Sequence, residues 1–348
     1  MLVSMKIGFM IMMIGLWAGL GFGSFDSNVV SLAPTTSNAK LRSEMMVLKV
    51  DKTSLVAHLQ TLPKNPVETE VLASFRIAIG KAVGDKQKEG DNRTPEGIYF
   101  AQPHIGEDRL WTQKYGPRAI PINFPNPMDR KEGKTGYGIW LHGAGDDARI
   151  KDKNVTEGCV AFYNDDIVKI TSWLPPHQGL VVIASDVSQV NRIDESSEIN
   201  RLTQAWFQDW QQRNLDGYIS YYSEDFVHQR KGTHAYRQYK DRVFKRYRSM
   251  KVDISDLRVV SHPKYAVSLM NQSFNGDDIY RTEGRKILFW ERDNADQWRI
   301  VREVFEPRRY EALSFSESDL ASLVNHLESA EGVSRIETST TSEHPSKI

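Results

Sequence analysis

The chain has 348 residues, which is room for two domains of ordinary size. Its 45 Lys and Arg balance its 45 Asp and Glu, so no net field draws a nucleic acid or holds the chain on an anionic membrane. With a single cysteine, Cys159, neither an internal disulfide nor a multi-cysteine zinc site can form.

From Ile7 to Phe25 no charged residue occurs, and Gly19, Gly21 and Gly23 close the run. Its length is near that of a bilayer span, while its small-residue end resembles a cleavage region. Residues 1–25 are therefore expected to be a cleaved export signal or a membrane anchor. Residues 26–43 are linker-like. A first domain over 44–187 reads as strand-rich, with apolar runs at Val47 to Val50 and Phe75 to Ile79. Gly80 to Gly97 is a long polar turn region. Strands are expected again at Ile98 to Phe100, Gly138 to Leu141, Val160 to Phe162 and Val181 to Ala184. Asn164 is expected to cap a short helix, with Asp165 and Asp166 in its first turn and Ile167, Ile170 and Leu174 on its apolar face.

A second domain is expected over 195–312. Ile199, Leu202, Trp206 and Trp210 recur at helical spacing, as do Tyr236, Tyr239, Val243 and Tyr247. Strands follow at Tyr265 to Phe274, Ile279 to Glu291 and Trp298 to Glu306, the last two joined by a hairpin at Asp293 to Asp296. Helices before an antiparallel sheet make this block α+β. With its own helix faces and sheet it is expected to bury its own core and to leave residues 44–190 competent alone. Trp206, Trp210, Tyr221 and Tyr222 read as core. Arg237, Lys240, Lys245 and Arg246 read as the wet face of a helix. The Ser/Thr/Glu-rich tail, 328–348, is expected to be disordered.

Chemistry concentrates between Gly136 and Ile167. A strand brings His142 to its end, and a polar loop returns the chain to Thr156-Glu157-Gly158-Cys159. A cysteine hydrolase or acyltransferase needs a thiolate, an imidazole to take its proton, a group to orient that imidazole, and donors for an oxyanion. Cys159 can supply the first and His142 the second. The Gly143 carbonyl can hold the imidazole tautomer, and the amides around Gly158 and Cys159 can face the oxyanion. One His and one Cys alone are a weak signal, matched by a buried structural cysteine. Asp146, Asp147 and Asp152 read as solvated loop residues, and Tyr137 and Trp140 as packing.

The surrounding motifs are more specific. GDKQKEGDNRTPEGIYF, INFPNPMDRKEGKTGYGIWLHG and GCVAFYNDDI occur in this order, and together they resemble the YkuD-type L,D-transpeptidase catalytic domain. Three positions depart from that family's pattern. Glu157 stands where a His usually precedes Gly-Cys, Ala161 stands where an Asn or Arg usually follows, and the loop from 143 to 155 is one residue short. These departures are similar to a branch of L,D-carboxypeptidases that act in cell shape. AWFQDWQQRNLDGYISYYSEDF and the strands after it resemble a nuclear-transport-factor-two-like cone, which that branch also carries.

The resemblance implies a β-rich sandwich followed by the smaller α+β cone. It implies Cys159 as nucleophile, His142 as base oriented by Gly143, and Gly158 and Thr156 on the oxyanion and substrate side; Glu157, a departure from the pattern, is open to contacting a substrate amine or to being a solvated loop residue. Asn123, Asn126 and Arg130 would brace the site. The implied substrate is the stem peptide of peptidoglycan in the periplasm or cell envelope, with no metal or organic cofactor required. Hydrolysis would make the chain an L,D-carboxypeptidase; an amine acceptor would make it an L,D-transpeptidase. A silent wall-binding scaffold is the reading from another class. The cone is open to binding glycan, forming a homodimer, or docking a partner of the wall machinery.

Overall fold

The structure, a computed structural model, describes residues 45–308. The expected leader, linker and tail lie outside the described residues. Among the described residues no helix is long and apolar enough to cross a membrane.

The first domain opens with β1 (Met45–Asp51), β2 (Val56–Leu62), β3 (Val71–Gly80), β4 (Gly97–Phe100) and β5 (Ile105–Gly106). It continues through α1 (Thr112–Tyr115), β6 (Arg118–Pro121), α2 (Pro127–Lys131), β7 (Trp140–His142), β8 (Asn154–Thr156) and β9 (Val160–Phe162). It closes with α3 (Asn164–Trp173) and β10 (Leu180–Ala184). The strands make one hydrogen-bonded path, β4-β10-β1-β2-β3-β9-β7-β6-β5, with β8 pairing β3. The early β1 and the late β10 lie side by side and parallel, with Leu48 opposite Val181.

Strand alternation explains the core. Met46, Leu48 and Val50 of β1 meet Val181 and Ile183 of β10 and Phe162 of β9 inside the folded sheet. Val47, Leu180, Val182 and Ala184 point to the opposite face, which is buried as well. A strand covered on both faces reads as an unbroken apolar run, as residues 180–184 do.

The second domain runs α4 (Ile193–Gln211), α5 (Leu215–Ser220), β11 (Val227–His228), β12 (Lys231–Gly232) and α6 (Thr233–Arg246). Then come β13 (Met250–His262), β14 (Tyr265–Gly276), β15 (Tyr280–Arg292) and β16 (Trp298–Pro307), an antiparallel sheet in sequence order. The expected hairpin is present: Asp293 N donates to Gln297 O at 2.8 Å. β13 has no counterpart in the sequence reading, because a register shift between Ser255 and Arg258 breaks its alternation.

Trp206, Trp210, Tyr218, Tyr222, Tyr236 and Trp290 form this domain's own core. Lys240 corrects the expectation of a wet helix face. It is buried, with its ammonium 4.6 Å from the Trp210 ring centroid and 4.9 Å from that of Tyr218. Burial pushes its pKa down to about 7, against the opposing pull of Glu303. The Glu303 carboxylate accepts from Tyr236 Oη at 2.8 Å and Tyr222 Oη at 3.1 Å.

The two domains do not stand apart. Alternate residues of the second sheet, Val260, Tyr265, Val267, Leu269, Ile287, Phe289 and Val301, pack on Val47, Leu62, Ile98, Phe100, Leu180 and Val182 of the first. The intervening residues, Ala266, Met270, Leu288 and Trp290, face the helices instead. The second sheet is therefore a middle layer shared by both cores. Polar contacts reinforce it: Lys131 pairs with Glu291 at 2.7 Å, and His262 Nε2 donates to Ile183 O at 3.1 Å.

Candidate active site

β7 lies between β6 and β9, and its pairing with β9 is parallel, with His142 opposite Ala161. That register puts Cys159, just ahead of β9, beside Trp140. The Trp140 amide donates to Cys159 Sγ at 3.4 Å, and the thiol faces the Gly138 carbonyl at 3.5 Å. Cys159 is half-buried. Cys159 and His142 line one pocket of about 410 Å³, which also exposes Lys81, Lys114, Tyr115, Tyr137, Arg149 and Glu157 along its wall.

The imidazole has a defined tautomer. His142 Nδ1 lies 2.5 Å from Gly143 O. A carbonyl only accepts, so Nδ1 carries the proton and Nε2 is left as a base. Tyr115 packs edge-on against the ring at 5.1 Å and also meets Trp140 at 5.1 Å, fixing the ring's tilt.

Electrostatics keep both groups neutral at rest. Burial pushes His142 down to about 4, with Lys114 and Arg149 adding to it and the Gly143 carbonyl opposing. Burial pushes Cys159 up to about 11, against the Trp140 hydrogen bond and Lys114. Near neutral pH the pair is a thiol and an imidazole, so a proton must move as the sulfur attacks.

The Thr156–Cys159 turn is internally bonded. Thr156 Oγ1 donates to Cys159 O at 2.7 Å and accepts from Gly158 N at 3.2 Å. The Gly158 amide, expected to face an oxyanion, is thus occupied, and the Cys159 N–H is the remaining donor of that pair. Gly158 has φ +128°, and a Cβ there would stand 2.8 Å from Arg93 O, so its task is the turn itself. Glu157 is exposed on the rim, 3.7 Å from Lys114.

Asn164 does not cap its helix. Tyr163 is the N-cap and supplies no side-chain bond. Asn164 Oδ1 instead accepts from Ala144 N at 2.9 Å, pinning the loop that follows His142. Glycines make room for it: a Cβ on Gly143 would lie 2.3 Å from that oxygen, and one on Gly116 2.2 Å. Sequence reasoning missed this contact and the role of Tyr115; the glycines at 116 and 143 were the available signal. Two further expectations change. Asp147 is no free loop carboxylate, since it accepts from Asn164 N at 3.0 Å. Tyr137 is 77% exposed at the pocket mouth and packs no core.

Of the expected braces, Asn126 is the most fully engaged. Its Oδ1 accepts from Met128 N and Asp129 N at 2.8 and 2.9 Å, and its Nδ2 donates to Ile98 O and Tyr265 Oη, both at 2.9 Å. Asn123 Oδ1 accepts from Phe100 N at 2.8 Å. Arg130 is exposed and bonds only its own turn, at Pro125 O.

Both domains have counterparts among known proteins. Residues 54–183 match the L,D-transpeptidase catalytic domain family, YkuD, and residues 198–304 match the Cds6 C-terminal NTF2-like domain family. YafK of Escherichia coli strain K12, provisionally named an L,D-transpeptidase, is 32% identical over 102 residues. That match covers 29% of this chain and 36% of YafK, so the chain spans about a third of this curated relative. Two solved structures share the two-domain fold. Bd1075 of Bdellovibrio bacteriovorus is 25% identical, with TM-score 0.64, over 77% of this chain and 94% of its own. The helical cell shape determining protein Pgp2 of Campylobacter jejuni is 21% identical, with TM-score 0.61, over 77% of this chain and 99% of its own.

Proposed function

Because the chain joins an L,D-transpeptidase catalytic domain to a C-terminal NTF2-like domain, we propose that it is a cysteine enzyme of the cell envelope that trims peptidoglycan stem peptides as an L,D-carboxypeptidase. The observation that carries this reading is Cys159 and a singly protonated His142 at the floor of one open pocket. The departures at Glu157 and Ala161 favour trimming over cross-linking. The likeness to a cell shape determining protein extends the reading to cell shape.

In the proposed reaction the Cys159 proton passes to His142 Nε2 as sulfur bonds to the carbonyl carbon on the L-centre side of the L–D bond. The Cys159 N–H faces the oxyanion. The C–N bond then breaks, and the departing D-amino acid takes the proton from Nε2. Water, losing a proton to the same nitrogen, cleaves the thioester and frees the thiol.

The test incubates the full chain with tetrapeptide muropeptides and reads product masses. Loss of one D-alanine, absent in Cys159→Ala, is the expected result. A cross-linked dimer would assign transpeptidation instead, with an amine replacing water. No Cys159-dependent product of either kind would refute the reading.

A further inference from the structure

One wall of the pocket is built from two polar segments, Lys86 to Gly90 and Gly136 to Gly138. They are tied together: Thr135 N donates to Gln87 O at 3.1 Å, and Glu89 N to Thr135 Oγ1 at 3.3 Å. This wall ends in the Gly138 carbonyl that faces the thiol.

The base of the wall is a buried ion cluster. The Lys134 ammonium, with its side chain 1% exposed, contacts Asp85 at 2.8 Å, Asp129 at 2.9 Å and Glu132 at 3.0 Å. Asp85 also accepts from Glu96 N at 2.7 Å. The second domain enters this cluster directly, at the turn where β14 begins. Lys264 Nζ pairs with Asp85. The next residue, Tyr265, accepts at its hydroxyl from Ile98 N at 2.7 Å and from Asn126 Nδ2 at 2.9 Å. Gly97 leaves room for that hydroxyl, since a Cβ there would stand 2.8 Å from it.

We infer that Lys264 and Tyr265 are positioning residues for the Cys159 chemistry. They belong to the NTF2-like domain, yet through Asp85, Asn126 and Lys134 they set the wall that holds Gly138 against the thiol. The first domain cannot complete this cluster alone. Lys134 is the first-domain cation in contact with Asp85, and Lys264 brings a second one from the other domain; together they hold the Asp85 carboxyl below its usual range against its burial. Without Lys264 the excess negative charge is relieved by moving the Asp85 loop, and that loop is the wall.

The inference rests on the proposed catalytic site, and its test separates the two. In the full chain, Lys264→Ala is compared with Lys264→Arg and with Lys131→Ala. Lys131→Ala breaks another interdomain ion pair, with Glu291, that does not touch Asp85 or Lys134. Lys264 is one-third exposed, so its loss is compatible with folding, checked by the melting temperature. Two readouts are taken: the alkylation rate of Cys159 by iodoacetamide at fixed pH, and kcat and KM on tetrapeptide muropeptides. Lys264→Ala is expected to speed alkylation about threefold or more, as the Gly138 wall loosens, and to lower kcat about tenfold with a smaller change in KM. Lys264→Arg should restore both, and Lys131→Ala should move neither. Unchanged alkylation in Lys264→Ala, or an equal change in Lys131→Ala, overturns the inference. Absence of muropeptide turnover in the parent chain would sink the proposed function, while the alkylation comparison would still decide the coupling.

Discussion

Cys159 and His142 are held by burial in their uncharged forms, and this sets how the thiol responds to pH. With the thiol pushed up to about 11 and the imidazole down to about 4, no thiolate–imidazolium pair is present between those values. Alkylation of Cys159 is therefore expected to rise about tenfold per pH unit from neutrality towards 11. Rates measured from pH 6 to 10 check this, and a plateau already at pH 6 would show a resting ion pair. At this scale the sequence was most readable where chemistry demands a residue type, as at His142 and Cys159. It was least readable where a side chain answers to a distant backbone. Nothing near Lys240 in sequence reveals that the Trp210 and Tyr218 rings will cover it.

Among the elements, the junction of β7 and α3 determines how firmly the base is held. Asn164 at the start of α3 grips the Ala144 amide, and Gly143 leaves room for it. Gly143→Ala is expected to destabilise the protein by about 1–3 kcal/mol by forcing the carboxamide off that amide. Asn164→Ala removes the same bond, so the double variant should cost less than the sum of the singles. Urea unfolding of the three proteins measures the difference, and strict additivity would mean the two residues do not share the contact. In the sequence Asn164 was readable only as a helix cap. Its partner lies twenty residues back, a distance that only the β7–β9 pairing closes. Strands with clean apolar runs, such as β10, were legible to within a residue, whereas β13 was hidden by its bulge.

For the whole molecule, the shared layer changes what counts as a folding unit. The expectation that residues 44–190 would work alone treated the second domain as self-sufficient. It does have a core of its own, but its sheet also covers Val47, Leu62, Ile98, Phe100, Leu180 and Val182. Uncovering six such side chains forfeits up to about 9–18 kcal/mol at roughly 1.5–3 kcal/mol each. That is comparable to the entire stability of an ordinary domain, about 5–15 kcal/mol. A 45–190 fragment is therefore expected to aggregate or stay unfolded by circular dichroism. A soluble fragment with a cooperative melt would refute the shared-core account. The unbroken apolar run at 180–184 fits a strand buried on both faces but does not say what covers the second.

The parallel pairing of β1 with β10 has a consequence for the order in which the protein forms. The strand that starts the sheet waits for one that arrives more than a hundred residues later, and the face they share waits for Val301. Contacts this distant along the chain make folding slow, because loop entropy is lost before any contact rewards it. A chain emerging N-terminus first carries the apolar stretch from Leu180 to Ala184 uncovered until nearly all of it is out. During synthesis, that interval is when the protein most needs a chaperone.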